Sequence, residues 1–349
     1  MKKIISIIGA RPQFIKHAPV QLELQKYYNA ITIHSGQHYD ENMSKVFFDE
    51  LNIPRPEYLF TSAGGKPHGE QTGVIMTEIE RVCEIEKPDA LLIYGDTNST
   101  LAGALVAAKM EIPQIHIEAG LRSYNRSMPE EINRIVADEF AYLLFTPTDS
   151  CKENLRKEGI VHERIFLVGD VMCDIMEIIK PRVKRMVDYS YYFATIHRPY
   201  NTDDSSRLSD ILLAFNSLDR KVIFSIHPRT VSKLRSFGLN TEDFQNIVFV
   251  PPSSYVESIG YQLFSEAIIT DSGGIQKEAY MLRKKCITLR SETEWVETLW
   301  GGWNSILFDN IPSQLPEVIK KQPGEYIENL YGDGTAAQDI ISIIRKYIK

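Results

Sequence analysis

Tyr94-Gly95-Asp96-Thr97-Asn98-Ser99-Thr100, then His116-Ile117-Glu118-Ala119-Gly120-Leu121-Arg122, then Ser127-Met128-Pro129-Glu130-Glu131: this stretch decides the fold. Leu91 to Tyr94 is a continuous apolar run, and Asp96 lies just past its end. Pro113 to Ile117 is a second short run, and Glu118 lies just past that one. In an open α/β sheet, ligands bind outside the carboxyl ends of the strands. Two carboxylates are therefore aimed at one crevice, and Glu130 enters from the start of the following helix. Two of the three also have a plainer explanation. An Asp after a strand often only caps the next helix. Ser127-x-x-Glu130 matches a capping box with Pro129 in the first turn, so capping alone would explain Glu130. Glu118 resists that explanation, because no helix follows it at once.

Outward from this stretch, apolar runs and amphipathic stretches alternate. Strands are expected at 3–8, 30–35, 89–95, 113–117, 142–146 and 164–168, with helices at 12–26, 40–51, 69–86, 98–110, 129–140 and 149–158. Such alternation means βαβ units and a parallel sheet. A charged piece, Lys180 to Tyr189, interrupts the pattern. It then restarts with strands at 191–196, 221–226, 246–250, 266–270, 285–289 and 304–307, and helices near 205–218, 253–263, 274–282 and 311–321. The expected architecture is α/β, two doubly wound domains facing a cleft, with the boundary near 170–190. The first covers 1–170 and the second 171–335; the final helical run, 336–349, could pack back onto the first.

The 349 residues, 43% hydrophobic and 24% charged, suit a folded chain of two domains. A formal net charge of −7 gives a nucleic-acid or anionic-membrane partner no general support, so local cations must hold any anionic substrate. No apolar run approaches the ~18 residues of a membrane span. Cys83, Cys151, Cys173 and Cys286 are far apart and show neither metal spacing nor a disulfide framework. The start, Met1-Lys2-Lys3-Ile4, runs into a strand without a signal-peptide pattern, so a reduced, cytoplasmic location is expected.

Both halves offer anion-binding elements. Gly9-Ala10-Arg11-Pro12-Gln13-Phe14-Ile15-Lys16 joins the first strand to the first helix and places Arg11 and Lys16 for a phosphate. In the second half, His197-Arg198-Pro199 and His227-Pro228-Arg229 each follow a strand. Asp271-Ser272-Gly273-Gly274 also follows a strand and opens a helix, where glycines and free N–H groups favour a phosphate. Glu278, one helical turn on, could accept hydrogen bonds from ribose hydroxyls. Neither glycine fingerprint of a dinucleotide fold is present. Phosphate elements with three carboxylates suggest a nucleotide-sugar enzyme.

Nine ordered motifs now carry a resemblance over nearly the whole chain: Gly9-x-Arg11-Pro12, Gly36-Gln37-His38, Gly95-Asp96-Thr97, His116-x-Glu118-Ala119-Gly120-Leu121-Arg122, Pro129-Glu130-Glu131-x-Asn133-Arg134, His197-Arg198, His227-Pro228, Asp271-Ser272-Gly273-Gly274-Ile275-Gln276-x-Glu278 and Thr293-Glu294. Together they resemble the non-hydrolysing UDP-N-acetylglucosamine 2-epimerases. The resemblance implies a glycosyltransferase-B-like fold of two Rossmann-like domains, with UDP held mainly by the second. It implies catalytic roles for Asp96, Glu118, Glu130 and His197. Arg11, Lys16, His227, Arg229, Ser272, Gly273, Gly274 and Glu278 would bind the UDP-sugar. It further implies a homodimer acting in cell-surface polysaccharide biosynthesis, with no cofactor and no metal. The first loop, with Gln13-Phe14, and Thr293-Glu294-Trp295-Val296-Glu297 look like the branch acting on UDP-2,3-diacetamido-2,3-dideoxyglucuronate.

Inverting C2 is difficult because H2 is not beside a carbonyl. Loss of UDP from C1 makes H2 acidic; anti elimination then gives a glycal, and re-addition from the other face gives the epimer. Carboxylates can serve as base and acid, each proton transfer being worth roughly 10²–10⁴ in rate. His197, Arg11 and helix-start N–H groups can stabilise the departing pyrophosphate. Three alternatives stay open: a hydrolysing epimerase, a glycosyltransferase of the same fold, and a non-catalytic nucleotide-sugar-binding regulator.

Overall fold

The computed structural model describes residues 1–37, 48–51 and 53–349. His38 lies outside the described residues, as does most of the helix expected over 40–51. The chain forms two compact units, Met1–Pro181 with Asn329–Lys349, and Arg182–Glu328.

Unit 1 is built on seven strands: β1 (Lys3–Ile8), β2 (Asn29–His34), β3 (Tyr58–Leu59), β4 (Ala90–Tyr94), β5 (Gln114–Ile117), β6 (Leu143–Thr146) and β7 (Ile165–Leu167). They lie in the order β3-β2-β1-β4-β5-β6-β7, each pair parallel. Helices cover both faces of such a sheet, so its strands read as unbroken apolar runs; Ala90 to Tyr94 is buried at every position. β1 lies between β2 and β4, so the chain order reverses there. That switch point opens a crevice at the carboxyl ends, where the Gly9–Arg11 loop and Gly95-Asp96 emerge. One core layer joins Ile5, Ile7, Leu91 and Ile93 to Ile75, Ile79 and Val82 of the helix His68–Glu86.

Unit 2 repeats the plan with β8 (Tyr191–Thr195), β9 (Lys221–Ser225), β10 (Ile247–Val250), β11 (Ala267–Thr270), β12 (Lys285–Thr288) and β13 (Asn304–Ile306), in the order β10-β9-β8-β11-β12-β13. Its switch point lies between β8 and β11. Their carboxyl ends carry His197-Arg198 and Asp271-Ser272-Gly273.

Some elements gave no usable sequence pattern. β3 is only two residues long, too short for a period. The helices Val171–Ile179 and Pro228–Ser236 are nine residues each and start on caps, Asp170 to Met172 N and His227 to Arg229 N. The expected capping box at Ser127 is not formed. Met128 is the N-cap and makes no side-chain cap bond, while the Ser127 hydroxyl donates to Asn125 Oδ1 at 2.7 Å. The tight turn before Pro129 draws Ser127 to Asn125 and leaves Glu130 without a capping role.

The last helix, Ala336–Tyr347, packs on Arg11–Leu24 and Val171–Ile179 within unit 1. Its start is capped from a distance: Asp174 Oδ1 accepts the Ala337 N–H at 2.8 Å, and Asp174 Oδ2 has no partner. Burial pushes the Asp174 carboxyl from 3.8 up to about 6. The folded state therefore binds this proton more tightly than the unfolded chain. That contribution favours the fold as pH falls through about 6, and above it the ionised group carries the full desolvation cost. Asp174→Asn keeps an acceptor for Ala337 and removes the charge. We expect it to be more stable than the parent by about 1–2 kcal/mol at pH 8, with the gap closing by pH 5, in urea titrations. A gap that does not change with pH would contradict a buried, ionising Asp174.

Candidate functional site

The unit 1 site begins with the turn after β4. Gly95 has φ +59°, and a Cβ there would sit 3.0 Å from Glu118 Oε2 and 3.5 Å from Lys16 Nζ. Only glycine fits so close to both groups at that φ. Asp96 follows, with its carboxylate on the Arg134 guanidinium. The Asn133 amide donates to the Asp96 carbonyl at 2.9 Å, so one helix turn holds both ends of the residue. Burial raises the Asp96 carboxyl, and neighbouring Glu118 adds to the rise; Arg134 and Lys16 pull the other way.

Glu118 occupies the left-handed region at φ +68°, where a β-branched or bulky residue would be strained. Its N–H and that of Ala119 both bond to the Phe145 carbonyl, at 3.1 and 3.0 Å. This pinches the chain off β5 and turns the Glu118 side chain onto Lys16. Lys16, expected at a phosphate, thus lies against a carboxylate. Glu130 is half-buried, and its carboxylate has no hydrogen bond or ion pair among the described residues. Its neighbour Glu131 is the structural one. It is 1% exposed and accepts from Ser123 N, Ser123 Oγ, Tyr124 N and Arg134.

Gln13 turns out to be part of the frame. Its amide oxygen accepts from Gly9 N at 2.8 Å and Ala10 N at 3.1 Å; its NH₂ donates to Tyr94 O at 2.9 Å and Thr100 Oγ1 at 3.0 Å. It ties the Arg11 loop to the end of β4. Phe14 packs on His34 and Phe48.

In unit 2 the organiser is Asp271, which is fully buried. Its carboxylate accepts from His197 N at 3.1 Å, Arg198 N at 2.9 Å and Asn201 Nδ2 at 2.9 Å, and faces His197 Nδ1 at 3.2 Å. One carboxylate thereby shapes the loop after β8 and orients the half-exposed His197 ring. His227 lies 6.5 Å from His197, ring to ring, and caps its own helix through Nδ1. Arg229, expected to bind UDP, pairs with Asp203 at 2.6 Å on the surface. Ser272 precedes the helix Gly273–Met281, and its N–H donates to Thr270 Oγ1 at 3.0 Å. A Cβ on Gly273 would strike Glu294 Oε1 at 2.4 Å, whereas one on Gly274 would meet open space. That open helix start is suited to an anion. Glu278 is 6% exposed and accepts from Gln262 at 2.7 Å, so it is no surface residue. Beside His227, an open depression of about 400 Å³ is lined by Ile226, Pro228, Val231, Arg235, Pro251 and Pro252.

Among the described residues there is no group of three His, Cys, Asp or Glu side chains placed to hold a metal. No helix among them is long and apolar enough to cross a membrane.

A family model described as UDP-N-acetylglucosamine 2-epimerase matches residues 21–345. The chain belongs to the UDP-N-acetylglucosamine 2-epimerase family. It is 44% identical to a UDP-N-acetylglucosamine 2-epimerase homolog of Methanococcus maripaludis, over 98% of this chain and 99% of that one. It is 42% identical to the UDP-2,3-diacetamido-2,3-dideoxy-D-glucuronate 2-epimerase of Pseudomonas aeruginosa, over 99% of each chain. A crystal structure of the Methanocaldococcus jannaschii UDP-GlcNAc 2-epimerase, in complex with UDP-GlcNAc and UDP, matches at a TM-score of 0.88 and 39% identity, covering 99% of both chains. The chain is thus an enzyme of the isomerase class with this family's two-domain, glycosyltransferase-B-like fold. Sequence reasoning assigned no framing role to Gln13, Glu131 or Asp271. Each is a polar residue whose partners are far away in the chain or hidden in backbone N–H groups, so no spacing rule singles it out.

Proposed function

We propose that this epimerase inverts C2 of a UDP-2-acetamido sugar by anti elimination of UDP and re-addition. One carboxylate of Asp96, Glu118 and Glu130 removes H2 while the C1–O bond breaks and its electrons leave with UDP. A second carboxylate delivers a proton to the opposite face of C2 in the glycal, and the UDP oxygen rejoins C1. His197, His227, Arg11, the Ser272 hydroxyl and the N–H groups at Gly273 and Gly274 hold the diphosphate, with Glu278 on the ribose. The carrying observation is the close set of Asp96, Glu118, Lys16 and Arg134 at the ends of β4 and β5. Charges of both signs there can shift a proton without metal help. The family resemblance also supports a cytoplasmic homodimer serving cell-surface polysaccharide assembly; sedimentation at a single-chain mass would refute the dimer.

We further propose UDP-2,3-diacetamido-2,3-dideoxyglucuronate as the preferred substrate. Overall identity does not separate the choices, at 42% to the glucuronate enzyme and 40% to an enzyme named for UDP-N-acetylglucosamine. The C6 carboxylate of a uronate needs a cation or several donors. Three arginines lie near Glu118 and Glu130 in the chain, Arg122, Arg126 and Arg134. Arg122 is locked to Asp138 and Glu158, and Arg134 to Asp96 and Glu131. Arg126 is exposed, on the loop that Glu131 clamps, and carries no ion pair among the described residues. Arg126→Gln is therefore expected to lower kcat/KM for the uronate by about tenfold, or 1.4 kcal/mol, and to leave UDP-N-acetylglucosamine turnover within twofold. Incubation of both nucleotide sugars in D₂O tests the whole assignment, because epimerisation must place deuterium at C2. Free sugar among the products would favour hydrolysis, and equal use of UDP-N-acetylglucosamine would sink the uronate preference.

A further inference from the structure

We propose that His116 and Asp138 are positioning residues for the proton-transfer carboxylates, acting as a buried imidazolium–carboxylate pair that locks the turns carrying Asp96 and Glu118. The inference rests on the epimerase assignment and concerns residues to which that assignment gives no role.

His116 is fully buried in β5. Its Nε2 lies 2.8 Å from the Gly95 carbonyl oxygen, and its Nδ1 lies 2.7 Å from Asp138 Oδ1. A carbonyl oxygen can only accept, so Nε2 carries a proton. Asp138 Oδ2 already accepts from Gly120 N at 3.1 Å and Arg122 Nη1 at 2.7 Å. Two donors on Oδ2, one of them a guanidinium, favour the carboxylate form of Asp138. Asp138 is therefore the acceptor on that side as well, and Nδ1 also carries a proton. Both ring nitrogens donate, which only the imidazolium can do.

The polar groups bonded to this pair come from three elements. Asp138 comes from the helix Pro129–Phe140, the Gly95 carbonyl from the turn after β4, and Arg122 from the chain after β5. Arg122 in turn is neutralised by Glu158, at 2.7 and 2.5 Å. The consequence is mechanical. Holding the Gly95 carbonyl on His116 fixes the peptide that leads into Asp96. Fixing Gly120 N and Arg122 on Asp138 anchors the chain just past Glu118. The helix that supplies Asp138 also supplies Glu130 and Arg134. One ion pair thereby sets the relative placement of all three carboxylates, none of which it touches. Small displacements of such groups cost rate far more than they cost binding.

Two measurements test this. In protein labelled uniformly with ¹³C and ¹⁵N, the ring signals of His116 are identified among the eight histidines by through-bond correlation to its assigned backbone. At pH 7.5 both His116 nitrogens are expected at protonated shifts. An unprotonated nitrogen overturns the proposal, and this arm needs no folded variant. In the second arm, His116→Asn and Asp138→Asn are compared with the parent for kcat and for UDP affinity by calorimetry. We expect kcat to fall by about 30-fold or more while UDP affinity stays within about threefold. Parallel loss of both quantities, or no loss of kcat, overturns the positioning role. A parent protein that turns over no UDP-sugar would instead remove the epimerase assignment, and the ring's protonation would stand apart from it.

Discussion

Glu118→Gln, Asp96→Asn and Glu130→Gln are each expected to lower kcat by at least about 10², while UDP still binds with near-native affinity. The three differ in what else they disturb. Glu118 shares a buried pair with Lys16, and Asp96 is held by Arg134. Removing one partner of a buried pair leaves the other charge uncompensated, which costs about 3–5 kcal/mol where burial is complete. Glu118→Gln should therefore lose stability as well as turnover. Glu130 caps nothing, since Met128 is the N-cap of its helix. Its substitution should leave stability within about 0.5 kcal/mol, as for a surface change. That contrast makes Glu130→Gln the cleanest test of the three. A Glu130→Gln protein with parental kcat would remove Glu130 from catalysis. One with lowered stability and unchanged kcat would restore a structural role.

His197→Asn is expected to lower kcat by about 10² and to weaken UDP binding about tenfold, because the departing diphosphate loses a hydrogen-bonding partner. Asp271 lies behind this expectation. Its carboxylate receives two backbone N–H groups and the Asn201 amide, and it faces His197 Nδ1. An Asn at 271 would turn an NH₂ toward at least one of those donors, so it could not hold the loop in the same form. Asp271→Asn should accordingly share the UDP-binding defect of His197→Asn. Steady-state kinetics and calorimetry with UDP check both variants. If His197→Asn keeps parental rate and affinity, His197 lies outside the site.

The fold was legible because its signals are local and periodic. Apolar runs that end at Tyr94, Ile117 and Thr270 mark parallel strands, and the residues just past them sit where a doubly wound sheet presents ligands. Asp96, Glu118, His197 and Ser272-Gly273-Gly274 follow from that rule alone. The sequence by itself also determined the family, since nine motifs in order leave little room for another. Only the tertiary structure decided which polar residues hold the frame. Gln13 reaches Tyr94, Asp138 reaches His116 and Gly120, and Asp271 reaches His197, across separations no local period encodes. It also decided that Ser127 does not cap Glu130's helix, that Lys16 lies on Glu118, and that Arg122 and Arg134 are already paired. Strand ends are written in the chain because burial imposes a pattern on neighbours. Charge pairing is not, because a carboxylate's partner depends on which distant donors the folded sheet brings to it.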